Sequence, residues 1–345
     1  MTQLGVGFLG AGIATQAIHL PTVAALAGRL RACHVMDVDP AVAAAAAATA
    51  GARWTTRAAD VLADPDVDIV VVASPPSAHA EQVIAACGSG CRAVLCEKPL
   101  ATSRDEAQLI LEASRSSGTP VLVGTMHAYD PACRAAAAAW RSAGSGAVLV
   151  RSRINLPPDD VYILAATQPV SVPPPWTPPA RPWAEGAAAA FITDIMLGLA
   201  IHSIPLVREF FPEAGRVTSA ATPAPIGYAV AARCNGGAAE FLGMVAADWE
   251  SDWSLEAWSP SARLRVEFPP SYVHAGSAVA RLETGDGTQE WRYARNGYQA
   301  EWEHLADVAA GRAEPMIPLS TAVADLDFAL SMAEGAAGLL EQAAR

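Results

Sequence analysis

The sequence predicts an α/β protein in two parts. Residues 1–125 read as a doubly wound parallel sheet, and residues 126–345 as a second α/β domain on a mostly antiparallel sheet. Three observations carry this. Short apolar runs alternate with alanine-rich helical stretches through the first third of the chain, a βαβ rhythm. A glycine turn, Gly10-Ala11-Gly12, directly follows the first run. After Tyr129 the rhythm changes to segments of alternating polarity, the pattern of an antiparallel sheet with one covered face.

In order, the predicted parallel strands are Val6–Leu9, Cys33–Met36, Ile69–Ala73, Ala93–Cys96 and Val121–Val123, short and mostly β-branched as fully buried strands should be. The stretches between them, near Ile13–Gly28, Pro40–Ala50, Ala78–Cys87 and Ser103–Ser116, read as helices, and Ser103 with Glu106 makes a capping box. The antiparallel segments are Val148–Ile154, Gly227–Cys234, Ala238–Ala247, Trp253–Trp258, Ala262–Phe268, Ala278–Glu283 and Gln289–Ala294. One long helix is predicted over Phe191–Phe211, and two more near Gln299–Gly311 and Thr321–Ala344. The stretch Pro157–Pro182 is too rich in proline for helix or central strand and reads as an ordered lid or binding loop.

At 345 residues there is room for two domains and a sizeable core, although alanine inflates the hydrophobic fraction of 52%. A net charge of −12 argues against nucleic acid or an anionic membrane as partner. No run is apolar and long enough to span a bilayer, and the chain enters Gly5–Leu9 without a basic leader, so a cytoplasmic protein is expected. The six cysteines form no CxxC pair and no metal-like spacing with histidine; free thiols and no metal site are expected.

Lys98 is the one lysine among 23 Lys and Arg, where a chain of this length would ordinarily carry about twenty. An ammonium can be tuned to release and retake a proton, whereas a guanidinium stays charged. Lys98 lies between Glu97 and Pro99 directly after the buried run Ala93–Cys96, the expected address of an active-site group in an open α/β sheet. Gly10, Gly12, Ile13 and Ala14 open the first helix, where a pyrophosphate can approach the helix N-terminus; Thr15 stands at the third glycine of the usual fingerprint. Asp37 ends the second strand about 20 residues further on, the distance expected of a carboxylate on ribose hydroxyls. With Asp39 close by and no arginine adjacent, it favours NAD(H) over NADP(H). Ser74 and Pro75 end the third predicted strand, Ser77 is placed to cap the next helix, and His79 is either a polar surface residue or a cofactor contact.

Taken in order, Gly10–Ala14 (GAGIA), His19-Leu20-Pro21, Asp37, Ser74–His79 (SPPSAH), Glu97-Lys98-Pro99 and Gly124–Pro131 (GTMHAYDP) resemble the Gfo/Idh/MocA oxidoreductases. The likeness continues through Tyr298–Arg312, Pro318 and Leu326–Gly338 and so covers essentially the whole chain. It implies a Rossmann domain followed by an α/β domain whose large open sheet forms homodimers or homotetramers, and a small-molecule substrate over the nicotinamide. It also implies that Lys98 and Glu97 face the cofactor region and that His202 assists the proton transfer. Gly198 stands one turn before His202, where the family carries an aspartate; Asp194, a further turn back, is a candidate to line the substrate cleft but lies too far along the helix to pair with His202. Lys98 alone, or His127 or Tyr129, are the other groups at hand for the proton. Trp176 and Trp183 are candidate walls for a ring-bearing substrate or anchors of the proline-dense loop. The expected activity is NAD(H)-dependent interconversion of a secondary alcohol and a ketone on a cyclic or sugar-like molecule. Reduction of a C=N or C=C bond, or a non-catalytic nucleotide sensor, are the alternatives.

Overall fold

Residues 3–144, 146–158, 160–170, 187–245 and 250–343 are described in the computed structural model. By its contacts the chain divides into two units. One comprises Met1–Thr125, Ile163–Pro173 and Tyr298–Leu326; the other comprises Met126–Tyr162, Pro174–Gly297 and Asp327–Arg345. Residues 126–345 therefore do not form a unit by themselves, because two later segments return to the first.

The first unit is built on six parallel strands, β1 (Leu4–Leu9), β2 (Leu30–Met36), β3 (Arg53–Thr55), β4 (Ile69–Val72), β5 (Ala93–Glu97) and β6 (Val121–Gly124), in the order β3-β2-β1-β4-β5-β6. Between them run α1 (Leu20–Ala25), α2 (Pro40–Ala50), α3 (Ala58–Leu62), α4 (His79–Cys87) and α5 (Arg104–Ser117). Val6, Phe8, Leu9 and all of β4 are fully buried, as strands covered on both faces require. Strand order reverses between β1 and β4, and the carboxyl ends of those strands are where a doubly wound sheet binds its ligand. Ser103 caps α5 by accepting the Glu106 N–H at 3.2 Å, while the Glu106 carboxylate accepts the Thr102 N–H at 2.9 Å, a capping box shifted by one residue.

Two expectations fail here. The edge strand β3 has no apolar run to announce it, since Arg53 and Trp54 are both exposed. Ser77 does not cap α4; Pro76–Ala78 form a 3-10 turn, and α4 starts at His79 with no side-chain cap.

The second unit opens with α6 (Met126–Tyr129) and α7 (Pro131–Ser142), followed by β7 (Leu149–Leu156). The proline-free run within the proline-dense stretch forms α8 (Asp160–Ala166), where no helix was expected; residues 171–186 lie outside the described part. The helix expected over 191–211 is broken into α9 (Ala187–Gly198), a 3-10 turn Ala200–His202, and α10 (Ile204–Arg208). Leu199 departs to φ −118°, and Pro205, which has no N–H to give, stands in the first turn of α10.

Strands β8 (Arg216–Ala221), β9 (Ile226–Cys234), β10 (Gly237–Val245), β11 (Asp252–Trp258), β12 (Ala262–Phe268), β13 (Val279–Thr284) and β14 (Gly287–Trp291) join β7 in a sheet ordered β14-β13-β12-β11-β7-β10-β9-β8. The pairing is antiparallel except between β7 and β10. Val150, Ser152, Ile154 and Leu156 of β7 are buried, and the alternate residues carry cross-strand ion pairs. Arg151 meets Glu240 at 2.6 Å, Arg153 meets Asp252 at 2.9 Å, and Glu256 accepts from Arg263 and Arg265 at 3.1 and 3.3 Å. The chain closes with α11 (Gly297–Ala309) and α12 (Leu319–Ala343). Among the described residues, no helix is long and apolar enough to cross a membrane.

Candidate active site

The glycine turn at the end of β1 is shaped by contact on one side and space on the other. Gly10 has φ +102°, and a Cβ there would lie 2.6 Å from the Ala73 carbonyl oxygen. A Cβ on Gly12 would meet nothing within 4 Å. The Thr15 hydroxyl donates to the Gly10 carbonyl at 2.7 Å, so the residue at the third-glycine position closes the turn. Asp37 at the end of β2 accepts the Ala11 N–H at 2.8 Å and the Asp39 N–H at 3.0 Å, and it keeps lone pairs for further donors. Ile13 and Ala14 are half-buried. A tight turn, open room over Gly12 and a carboxylate fixed beside the turn are what a dinucleotide needs, and these residues fit one.

Ser74 and Pro75 follow β4; the Ser74 hydroxyl donates to Gln82 at 2.8 Å, and Pro75 is exposed. His79 is not a surface residue. It is 1% exposed, and its ring nitrogens lie 2.7 Å from the Pro99 carbonyl and 2.9 Å from the Ser74 carbonyl. With both nitrogens on the main chain, His79 ties the segment after β4 to the segment after β5.

Glu97 and Lys98 stand half-buried at the carboxyl end of β5. The Glu97 carboxylate turns into the unit: one oxygen accepts the Lys98 N–H at 3.1 Å, and the other lies 3.0 Å from His19 Nε2. A Cβ on Gly124 would come within 3.1 Å of that second oxygen, so a glycine on β6 makes room for the carboxylate. His19 ends a π-helical turn, Thr15–His19, that precedes α1, and is wholly buried. Its Nδ1 accepts the Trp302 indole N–H at 3.2 Å. Glu301, next to Trp302 on α11, is 1% exposed, and burial and the Glu97 charge raise its carboxyl well above the usual range. His19, Glu301 and Trp302 were not singled out as site residues in the sequence. The signal for Glu301 was an acid on the apolar stripe Trp302, Leu305 and Ala306 of its helix.

In the second unit His127, on α6, packs against Phe268 at 4.0 Å and Trp253 at 4.7 Å between ring centroids. The His202 ring lies 5.3 Å from Trp253 and 6.4 Å from His127. Trp253 and Phe268 are alternating strand residues that nothing in the sequence marks as functional. Tyr129 is buried, and Asp130 of the same motif accepts N–H groups of Ala132, Cys133 and Ala278, a structural tie. Asp194 is exposed on α9, and the break at Leu199 separates it from the turn that carries His202, so the two do not share one helical face. Trp176 and Trp183 lie outside the described residues. Among the described residues no group of His, Cys, Asp or Glu is placed to hold a metal, and all six thiols are free and buried.

Burial pushes the His127 imidazole down to about 3. The unfolded chain titrates this group near its ordinary value, so it binds the extra proton first as acid is added. Stability is therefore complete above about pH 6.5 and is lost progressively as the pH falls toward 3. Thermal unfolding between pH 7 and pH 4 is expected to show a falling Tm that His127→Phe flattens. An unchanged pH slope in that variant would remove His127 as the cause.

The family description "Oxidoreductase family, NAD-binding Rossmann fold" matches residues 4–125. Inositol 2-dehydrogenase 3 of Saccharopolyspora erythraea is 38% identical over 130 residues, 37% of this chain and 38% of that protein. The match thus spans well under half the length of this curated relative. A 3-ketoreductase from Actinomadura kijaniata superposes with a TM-score of 0.74 at 16% identity, covering 97% of this chain and 98% of that one. An aldose–aldose oxidoreductase from Caulobacter crescentus gives a TM-score of 0.74 at 17% identity over 97% and 98%. At such identities the structures speak for the fold alone, and they share it from end to end. Residues 4–125 thus carry the sequence of an NAD-binding Rossmann oxidoreductase family, and the full length is similar in fold to these solved oxidoreductases.

Proposed function

We propose that this protein is an NAD(H)-dependent oxidoreductase that interconverts a secondary alcohol and a ketone on a cyclic polyol or sugar-like molecule, with Lys98 as proton donor and acceptor. The observation that carries this is the chain's only lysine, half-buried at the carboxyl end of β5 in the unit that carries the dinucleotide turn. Gly10, Gly12, Ile13 and Ala14 would hold the pyrophosphate, Asp37 the adenosine ribose, and Ser74 and Pro75 the nicotinamide side. His79 and Glu97, whose polar atoms are engaged within the unit, hold the backbone of that site in place. The bound nicotinamide supplies the hydride acceptor or donor. In oxidation the Lys98 amine takes the hydroxyl proton, and in reduction it returns one to the carbonyl oxygen. In the second unit His202, whose ring packs against Trp253 and lies 6.4 Å from that of His127, is assigned an assisting role in the proton transfer, with His127 and Tyr129 as further substrate contacts. The names of the relatives, an inositol dehydrogenase, a 3-ketoreductase and an aldose–aldose oxidoreductase, support a polyol or sugar substrate. A homodimer or homotetramer through the ion-paired face of the eight-stranded sheet belongs to the same reading.

Purified protein offered NAD⁺ with inositols and other cyclic polyols, or NADH with keto-sugars, is expected to change nicotinamide absorbance. The glycine at position 198 and the aromatic setting of His202 favour a second reading, reduction of a C=N or C=C bond with Lys98 as the sole proton donor. Cyclic imines and conjugated alkenes test it. Tight NADH binding with no turnover on any of these would replace both readings with a nucleotide sensor.

The nucleotide preference rests on the fixed carboxylate of Asp37. Asp37→Ser is expected to raise NADPH affinity about tenfold relative to NADH, since a unit negative charge next to a 2′-phosphate costs on the order of 1–2 kcal/mol. Equal preference in the unaltered protein would sink the argument.

A further inference from the structure

Near Lys98 stand two carboxyls, half-buried Glu97 and fully buried Glu301, that the proton transfer proposed above does not use. Glu97 and Glu301 both belong to the first unit, and Glu301 feels the Glu97 charge. Two carboxylates in a dry interior do not both ionise; one keeps its proton.

The hydrogen bonds say which. An indole N–H only donates, so the 3.2 Å contact with Trp302 makes His19 Nδ1 an acceptor and puts the ring proton on Nε2. That Nε2–H faces Glu97 at 3.0 Å, and the Lys98 N–H faces the other Glu97 oxygen at 3.1 Å. One Glu97 oxygen thus accepts a backbone N–H and the other has an imidazole N–H nitrogen 3.0 Å away, surroundings that favour an ionised carboxylate. Glu301 is 1% exposed, and its Oε1 has no hydrogen-bond partner among the described residues. We propose that Glu97 bears the single negative charge of this pair beside the Lys98 amine, and that His19 and Glu301 are positioning residues that keep the charge and its orientation there. The electrostatics agree. Burial works against ionised Glu97, while the neighbouring His19 ring, the Lys98 charge and the Lys98 N–H work for it and hold the carboxyl below its usual range. Burial and the Glu97 charge push Glu301 well above its own. A fixed countercharge keeps Lys98 ready to donate a proton in reduction.

The importance of this arrangement for turnover rests on Lys98 being the proton carrier; the charge assignment does not. Because Lys98 is the only lysine, acylation of the protein across a pH series, read by mass on the Lys98 peptide against the terminal amine, titrates this one side chain without substrate. Glu97→Gln is expected to lower the Lys98 midpoint by about one unit or more, whereas Glu301→Gln leaves it unmoved. A shift in Glu301→Gln as large as in Glu97→Gln, or none in Glu97→Gln, overturns the proposal. Should Glu97→Gln fail to fold, the unaltered protein still decides it. Its infrared spectrum is expected to contain the C=O band of a dry, protonated carboxyl that Glu301→Gln abolishes, and a band that survives that substitution overturns the assignment. His19→Phe is expected to lower kcat about tenfold at unchanged NADH affinity, with recovery in His19→Gln, which restores one N–H donor. Equal kcat in both variants removes His19 from the device. If the Lys98 midpoint shifts as stated while Lys98 variants stay active, the catalytic reading fails and the charge assignment stands.

Discussion

Lys98→Met is expected to lower turnover by about 10²–10⁴-fold, the usual worth of a positioned general acid–base group. NADH affinity, measured by quenching of tryptophan fluorescence, should stay within a few-fold of the unaltered protein. Lys98→Arg sharpens the result. Arginine keeps the positive charge beside Glu97 but does not give up its proton at any working pH, so it should be nearly as inactive as methionine. If the amine served only as a charge that polarises the substrate oxygen, arginine would preserve much of the rate. An active Lys98→Arg variant would therefore end the case for Lys98 as proton carrier while leaving the nucleotide site intact.

Gly10→Ala is expected to damage both fold and binding. The φ of +102° at this position is one that L-residues adopt only at a cost of about 1–2 kcal/mol. The added Cβ would also press to 2.6 Å on the Ala73 carbonyl oxygen and 2.7 Å on the Ser74 nitrogen, backbone atoms that cannot swing away. Overpacking of that kind adds about 1–3 kcal/mol. A fall in Tm together with at least tenfold weaker NADH binding should follow. Gly12→Ala provides the contrast, because its Cβ meets nothing within 4 Å. Its Tm should be unchanged and its NADH affinity reduced, since the new methyl would stand in the space assigned to the pyrophosphate. Equal NADH affinity in Gly12→Ala and the unaltered protein would mean that the open space belongs to something else.

What could be read along the chain differs in kind from what could not. The parallel strands were legible because a strand buried on both faces is an unbroken apolar run, and β4 with its four fully buried residues is the clearest case. Edge strands β3 and β8 were not, because Arg53, Trp54 and most of β8 face solvent and leave no pattern. The helix expected over 191–211 followed from composition, and the chain departs from it at Leu199 and restarts at Ile204 with Pro205 in the first turn, with no loss of apolar residues to mark the break. That break matters to the site, because it takes Asp194 away from His202.

By itself the sequence determined that this is a doubly wound nucleotide-binding chain with one titratable amine at the end of a buried strand. Each of those features is local: an apolar run, a glycine turn, a lone lysine beside a proline. Only the tertiary structure decided what stands behind that amine. His19, Glu301 and Trp302 come from a turn near residue 19 and a helix near residue 300, and they meet because the chain returns to its first unit after building most of the second. Burial is a property of the assembled fold and favours a carboxyl that keeps its proton, and the indole N–H that reaches His19 from Trp302 selects its tautomer. No window of neighbouring residues contains that information.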